Sequence, residues 1–138
     1  MIGKQEGIIV EERGRIIPVA EGEFKTVILI ESKKGAIRAN HWHKTDSHVM
    51  YILSGKARYI EVGLDHEHGF VSDQIYGPGV PIITLPLIAH AMEFLEDTVM
   101  IVCTKNARDY ATYMADIVTH IIIPDSQAEK RHAARSDS

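Results

Sequence analysis

Short runs of β-branched and aromatic residues, broken by Gly, Pro and acidic turns, dominate the chain from Gly7 to Thr104. Ten such runs read as strands: 7–11, 15–20, 25–31, 37–43, 48–54, 56–62, 72–76, 82–85, 90–94 and 98–104. Most fall in the range of roughly four to eight residues usual for strands. The breaks at 21–23, 32–35, 54–56, 77–79 and 96–97 carry turn chemistry, with Gly for positive φ and Pro to remove a ladder donor. Many short strands at near-regular spacing predict an all-β barrel or sandwich, not a parallel α/β sheet. One segment departs from this pattern. Residues 106–120 place Tyr110, Tyr113, Met114, Ile117 and Val118 at helical spacing and predict a short C-terminal helix, although Thr, Tyr and Val also suit a strand. Residues 125–138 are polar and of mixed charge, and are expected to form a flexible tail after a single domain over 1–124.

Composition narrows the function classes. The 138 residues carry 15 Lys+Arg against 19 Asp+Glu, a formal net charge of −4. That balance gives no basic excess for a nucleic-acid surface. Cys103 has no partner for an internal disulfide, which fits a reducing compartment. No apolar run reaches the roughly 20 residues that a membrane helix needs, and the N-terminal residues lack the apolar stretch of a signal peptide. The expected location is the cytoplasm, and the expected partner is a small-molecule substrate rather than a nucleic acid or a membrane.

Eight histidines are the unusual count, and three of them fall between Asn40 and His48. Residues two apart on a strand share a face, so His41 and His43 point the same way, and Ile37 and Ala39 continue that face. A polar loop, 44–47, separates them from a strand that brings His48 back; His48 becomes a third ligand if its face is the same interior. His90 shares a face with Met92 and Phe94, and a buried imidazole needs a hydrogen bond or a metal. Met50, Ile52, Met92 and Phe94 share faces with His48 and His90 and are expected to line the pocket. By the same alternation, Arg38 falls opposite His41 and Tyr51 opposite His48. Trp42 is expected to pack against a second sheet or a dimer partner. A second pair, His66 and His68, lies in a Gly-bounded polar stretch and reads as an exposed loop.

The spacing Gly35-x5-His41-x-His43-x4-His48-x6-Gly55 resembles the first motif of the cupin superfamily, with His48 where most members have glutamate. Residues 79–90 resemble the second motif more loosely: Pro86 is one position late, Leu87 replaces an inner glycine, and Phe94 replaces an asparagine. The resemblance covers roughly 25–104. It implies a double-stranded β-helix, or jelly-roll barrel, with one divalent transition metal (Zn, Ni, Fe or Mn) on His41, His43, His48 and His90.

The stretch Arg38-Ala39-Asn40-His41-Trp42-His43-Lys44 is similar to the R-G-N-H-Y-H-[KRH] segment of cupins that act on nucleotide-linked sugars, among them capsule-synthesis enzymes and dTDP-sugar ketoisomerases and epimerases. That resemblance implies an isomerase or epimerase acting beside a keto group. Such chemistry needs a base, an acid and a holder for the enolate. Lys44, Tyr59 and Tyr76 are the catalytic candidates, with Lys44 as the better anion partner. The alternatives are a non-haem dioxygenase with a four-histidine site and a non-catalytic barrel that binds a metal or a small molecule. By fold analogy a homodimer is expected, with the N-terminal strands exchanged onto a neighbour's sheet.

Overall fold

A computed structural model describes residues 7–64 and 71–125. The His66 and His68 loop and the tail beyond residue 125 lie outside the described residues. Two antiparallel sheets enclose the core. One contains β3 (Thr26–Ser32), β10 (Thr98–Thr104), β5 (His48–Ser54) and β8 (Ile82–Thr84), in that spatial order. The other contains β11 (Ile117–Thr119), β4 (Ile37–His43), β9 (Ile88–Phe94), β6 (Ala57–Gly63) and β7 (Val71–Tyr76). A separate hairpin joins β1 (Ile9–Glu11) to β2 (Gly14–Ile16). The predicted all-β jelly roll is therefore the observed architecture, with eleven strands and one helix among the described residues.

Strand alternation explains the interior. Ile28, Ile30 and Ser32 of β3 turn inward, while Val27 and Leu29 face out at 67% and 60% exposure. Met50, Ile52, Tyr59, Met92, Phe94, Met100 and Val102 form the apolar cluster between the sheets. Met50, Ile52, Met92 and Phe94, expected to line the pocket, are packed into the core at 0–3% exposure. The reason is that alternation identifies the inward face but not the depth along it. Cys103 is a buried core thiol, as its apolar strand implies.

The predicted C-terminal helix is shorter than its pattern. Helix α1 covers only Tyr110–Asp116, with Asp109 as N-cap accepting from the Thr112 amide at 3.0 Å. The β-branched run Ile117-Val118-Thr119 then leaves the helix and pairs with β4. An open sheet edge supplies ladder hydrogen bonds to residues whose side chains suit a strand better. Trp42 pairs across this join with Val118.

A bulge in β4 changes the phase of its side chains. Ala39 and Asn40 both have positive φ, at 70° and 58°, and the register with β9 shifts between Ala39 and His41. Arg38 is the partner of Met92, and His41 the partner of His90. Arg38 therefore shares the inner sheet face with His41, where unbroken alternation had put it on the opposite one. Its guanidinium lies at the far rim, donating to Ser32 Oγ at 2.8 Å and to the Glu31 carbonyl at 3.2 Å.

The motif glycines differ in what holds them. Gly35 has φ +89° with open space around its missing Cβ, whereas Gly55 has φ +102° and a Cβ there would meet the Asp97 carbonyl oxygen at 2.5 Å and collide with Thr98. We expect Gly55→Ala to cost about 3 kcal/mol, roughly 10 °C in Tm, and Gly35→Ala about 1 kcal/mol. Thermal melts of the two variants check this; equal losses would mean that backbone strain alone fixes both positions.

Candidate functional site

Four imidazoles converge at one end of the space between the sheets. His41 and His43 come from β4, His48 from the start of β5, and His90 from β9. Ring centroids of His41 lie 4.9 Å from both His43 and His90; His43 is 5.5 Å from His48 and 5.6 Å from His90, and His48 is 5.7 Å from His90. All four are buried. The ring nitrogens nearest one another on His41, His43 and His90 all lie within 4.8 Å, and His48 stands beside this triad rather than within it.

Two of the rings have their tautomers fixed by their partners. Asp116 Oδ2 lies 3.0 Å from His43 Nδ1, and a carboxylate only accepts, so Nδ1 carries the proton. His90 Nδ1 donates to the Ile88 carbonyl at 3.2 Å for the same reason. The Nε2 atom of each ring then presents a lone pair. His43 Nε2 is buried with no hydrogen-bond partner, and so is His48 Nδ1. Orphaned buried nitrogens are costly, and a cation satisfies them. Three imidazoles around a buried point, two of them oriented by oxygen acceptors, fit a divalent transition metal.

Asp116 is the anchor of the arrangement. Besides His43, it accepts from the Thr45 amide at 2.8 Å, the Thr45 hydroxyl at 2.7 Å and the Asp46 amide at 3.2 Å. Burial pushes its carboxyl up, but these hydrogen bonds outweigh burial and hold it below its usual range. Burial lowers His43, with Asp116 opposing only in part. Burial likewise puts His48 well below its ordinary value and brings His90 down to about 4.

The segment after β10 roofs the cluster. Tyr113 of α1 has its ring centroid 6.0 Å from His41 and 6.2 Å from His43. Arg108 lies over the Tyr113 ring at 4.7 Å and pairs with buried Asp46 at 3.2 Å. Lys44 is exposed and donates to the Ala115 carbonyl at 3.1 Å, capping the end of α1. That leaves Arg108, not Lys44, as the cation facing the histidines. Tyr59 is buried, 6.1 Å from the His90 ring, with its hydroxyl 2.5 Å from Thr84 Oγ1. Tyr76 is half-buried and 6.3 Å from Tyr59. Tyr51 faces away from His48, as alternation implies, in register with Ile101.

Asp116, Arg108 and Tyr113 were not legible in the sequence, because each reaches the site across a long chain separation; Asp46 sits between His43 and His48, but its partner Arg108 is distant in sequence. Glu61 was missed as well, although its spacing of two from Ala57 and Tyr59 on one strand was the signal that places it inward; the structure makes it the register partner of His90.

No family model and no curated protein matches the chain. Solved structures do. The sugar 3,4-ketoisomerase QdtA from Thermoanaerobacterium thermosaccharolyticum, in complex with TDP, superposes with a TM-score of 0.67 at 21% identity over 83% of each chain. A 3,4-ketoisomerase from Helicobacter canadensis gives 0.66 at 15% identity, over 83% of this chain and 86% of that one. The dTDP-4-dehydrorhamnose 3,5-epimerase from Sulfolobus tokodaii gives 0.64 at 15% identity, over 78% and 71%. The fold is the cupin jelly roll. At these identities the likeness speaks for the fold alone.

The buried imidazoles make the metal-free protein acid-sensitive. The unfolded chain takes up protons near pH 6.5, while folded His90 stays neutral to about pH 4. Protons therefore favour unfolding, so stability is full above about pH 7 and falls as pH drops through that window. His90 alone accounts for roughly 3 kcal/mol across it, and His43 and His48 act in the same sense. Melts of chelator-treated protein at pH 7.5 and pH 5.0 are expected to differ by more than about 5 °C, lower in acid. Equal melting temperatures would mean that the rings are solvated.

Proposed function

We propose that the protein is a metal-binding isomerase or epimerase acting beside the keto group of a nucleotide-linked sugar. The observation that carries the reading is the set of three buried imidazoles that each offer a ring nitrogen within 4.8 Å of the others, with His43 Nε2 left unsatisfied. Solved structures of similar fold include enzymes named as sugar 3,4-ketoisomerases and 3,5-epimerases, which supports the substrate class. His41, His43 and His90 would hold one divalent transition metal, with His48 alongside. Bound there, the ion supplies Lewis-acid stabilisation of negative charge on a substrate oxygen.

The chain's own residues set up that environment. Asp116 keeps the His43 proton on Nδ1, and the Ile88 carbonyl keeps that of His90 on Nδ1. Met50 follows His48 and Met92 follows His90 at a spacing of two on their strands, and both belong to the buried apolar cluster. Arg108 places a cation beside the cluster, where an anionic group of the substrate would meet it. The same reading includes a homodimer. The β1–β2 hairpin exposes Ile9, Val10 and Ile16, and β3 exposes Val27 and Leu29, apolar area that a second copy would withdraw from water.

Elemental analysis of purified protein tests the metal. About one divalent ion per chain is expected, with at least a tenfold loss of occupancy in His41→Ala and in His90→Ala. His48→Ala is expected to stay within about threefold; a tenfold loss there would put His48 in the ligand set. Unchanged content in all three variants would remove the metal. Conversion of TDP-4-keto-6-deoxyglucose without oxygen is the expected activity, and oxygen consumption on turnover would replace the isomerase with a dioxygenase.

A further inference from the structure

A cavity of about 420 Å³ opens where β6 and β7 of one sheet face β8 of the other, and one of its lining residues, Tyr59, has its ring 6.1 Å from that of His90. Its polar groups are Tyr59, Glu61, Ser72 and Tyr76, and its apolar wall includes Val80 and Leu85. The volume falls within the range of small-molecule sites, and a few convergent polar groups on an apolar wall are their usual make-up. Glu61 sits on the inner face of β6, level with His90 on the neighbouring strand. A half-buried carboxylate in that position is expensive unless it is used or paired.

The pairing is directional. An ionised Glu61 carboxylate only accepts, so Tyr59 gives it its one hydroxyl proton, and the Thr84 hydroxyl then donates to the Tyr59 oxygen. Thr84 is itself the register partner of His48. The run Glu61–Tyr59–Thr84 therefore crosses from one sheet to the other in front of the imidazoles. Each hydroxyl gives its one proton along the run, which leaves Glu61 as the terminal acceptor at the cavity. A carboxylate has about four acceptor positions and Tyr59 uses one. Burial holds Glu61 above the usual carboxylate range and pushes the Tyr59 phenol up as well, so the phenol remains a donor.

We infer that the cavity receives the sugar ring and that Glu61 is the residue that takes and returns the proton on the carbon next to its keto group; this rests on the isomerase or epimerase reading. In the forward step the C–H bond breaks and its proton forms an O–H bond on Glu61. The C–H electron pair becomes the C=C bond of the enolate, and the carbonyl electron pair moves onto oxygen. The reverse step returns the proton to carbon and restores the ketone. Glu61 is then neutral at the enolate stage, so no second negative charge faces the developing one. Tyr59 is a positioning residue, holding the Glu61 carboxylate toward the cavity. The ring hydroxyls of a neutral sugar suit Glu61, Ser72 and Tyr76 as hydrogen-bonding partners, whereas a phosphate against Glu61 would be repelled. The nucleotide end therefore lies away from Glu61.

The test follows deuterium wash-in at the carbon next to the ketone of TDP-4-keto-6-deoxyglucose in D2O by NMR, with TDP binding by calorimetry and metal content measured on the same samples. Glu61→Gln is expected to slow wash-in at least a hundredfold, while TDP affinity stays within about threefold and metal content is unchanged. Tyr59→Phe is expected to slow it about tenfold. Wild-type wash-in by Glu61→Gln overturns the inference and leaves the isomerase reading intact. No wash-in by the wild-type protein on TDP-4-keto-6-deoxyglucose overturns both. Should Glu61→Gln fail to fold, Glu61→Asp decides: a loss of at least tenfold supports the role, and an unchanged rate overturns it.

Discussion

The Asp116 carboxylate fixes more of this structure than any other single group. It ends helix α1, is nearly buried, and gathers four donors from a stretch only four residues long: the His43 ring, the Thr45 amide and hydroxyl, and the Asp46 amide. Those donors hold its negative charge without bulk water, which is the condition for a buried carboxylate to stay ionised. The consequences run outward. The 44–47 loop between β4 and β5 takes one shape, His43 takes one tautomer, and the C-terminal segment is tied to the strand that carries two of the imidazoles. Asn40 adds a second tie. In its left-handed conformation, its side-chain oxygen accepts from the Ile122 and Ile123 amides at 2.9 and 3.0 Å, and its Nδ2 donates to the Ile123 carbonyl at 2.8 Å. Asparagine tolerates that backbone better than most residues, and here its amide mimics a strand edge for the returning chain.

The strands were legible because their side chains alternate and their turns carry Gly and Pro. Alternation alone paired His41 with His43; bringing His48 and His90 to the same point took the resemblance to the cupin motifs as well. What the sequence hid has two physical sources. The first is the bulge at Ala39 and Asn40: one extra residue re-phases β4, brings Arg38 onto the inner face, and leaves no periodic signature. The second is sequence distance. Asp116 lies 73 residues from His43, and neither its charge nor its neighbours mark it as that ring's partner. Leu87 illustrates a milder case. It occupies the place of a motif glycine and takes φ +66°, with its side chain exposed and its amide donating to the His43 carbonyl at 2.8 Å. The strained backbone persists because the carbonyl it satisfies belongs to the same site.

The charges around the imidazoles bear on what the site is for. Arg108 and Asp46 form an ion pair, so their charges largely cancel at a distance. The Asp116 charge is shared with the His43 N–H, and burial keeps the His43, His48 and His90 rings neutral. Taken as built, the pocket is close to neutral or slightly negative, which is a poor setting for negative charge to develop on a substrate oxygen. Neutral rings with buried, unsatisfied lone pairs are instead the right setting for a cation, since ligation requires the deprotonated imidazole that burial already enforces. The desolvation that makes the metal-free protein acid-sensitive is thus the same term that prepares the rings as ligands. A divalent ion would turn the local charge positive, and a carboxylate that ends neutral after accepting a proton would keep it so. On this argument the neutral histidines and the half-buried Glu61 are complementary parts of one electrostatic design, in which burial raises the proton affinity of the acid and lowers that of the bases.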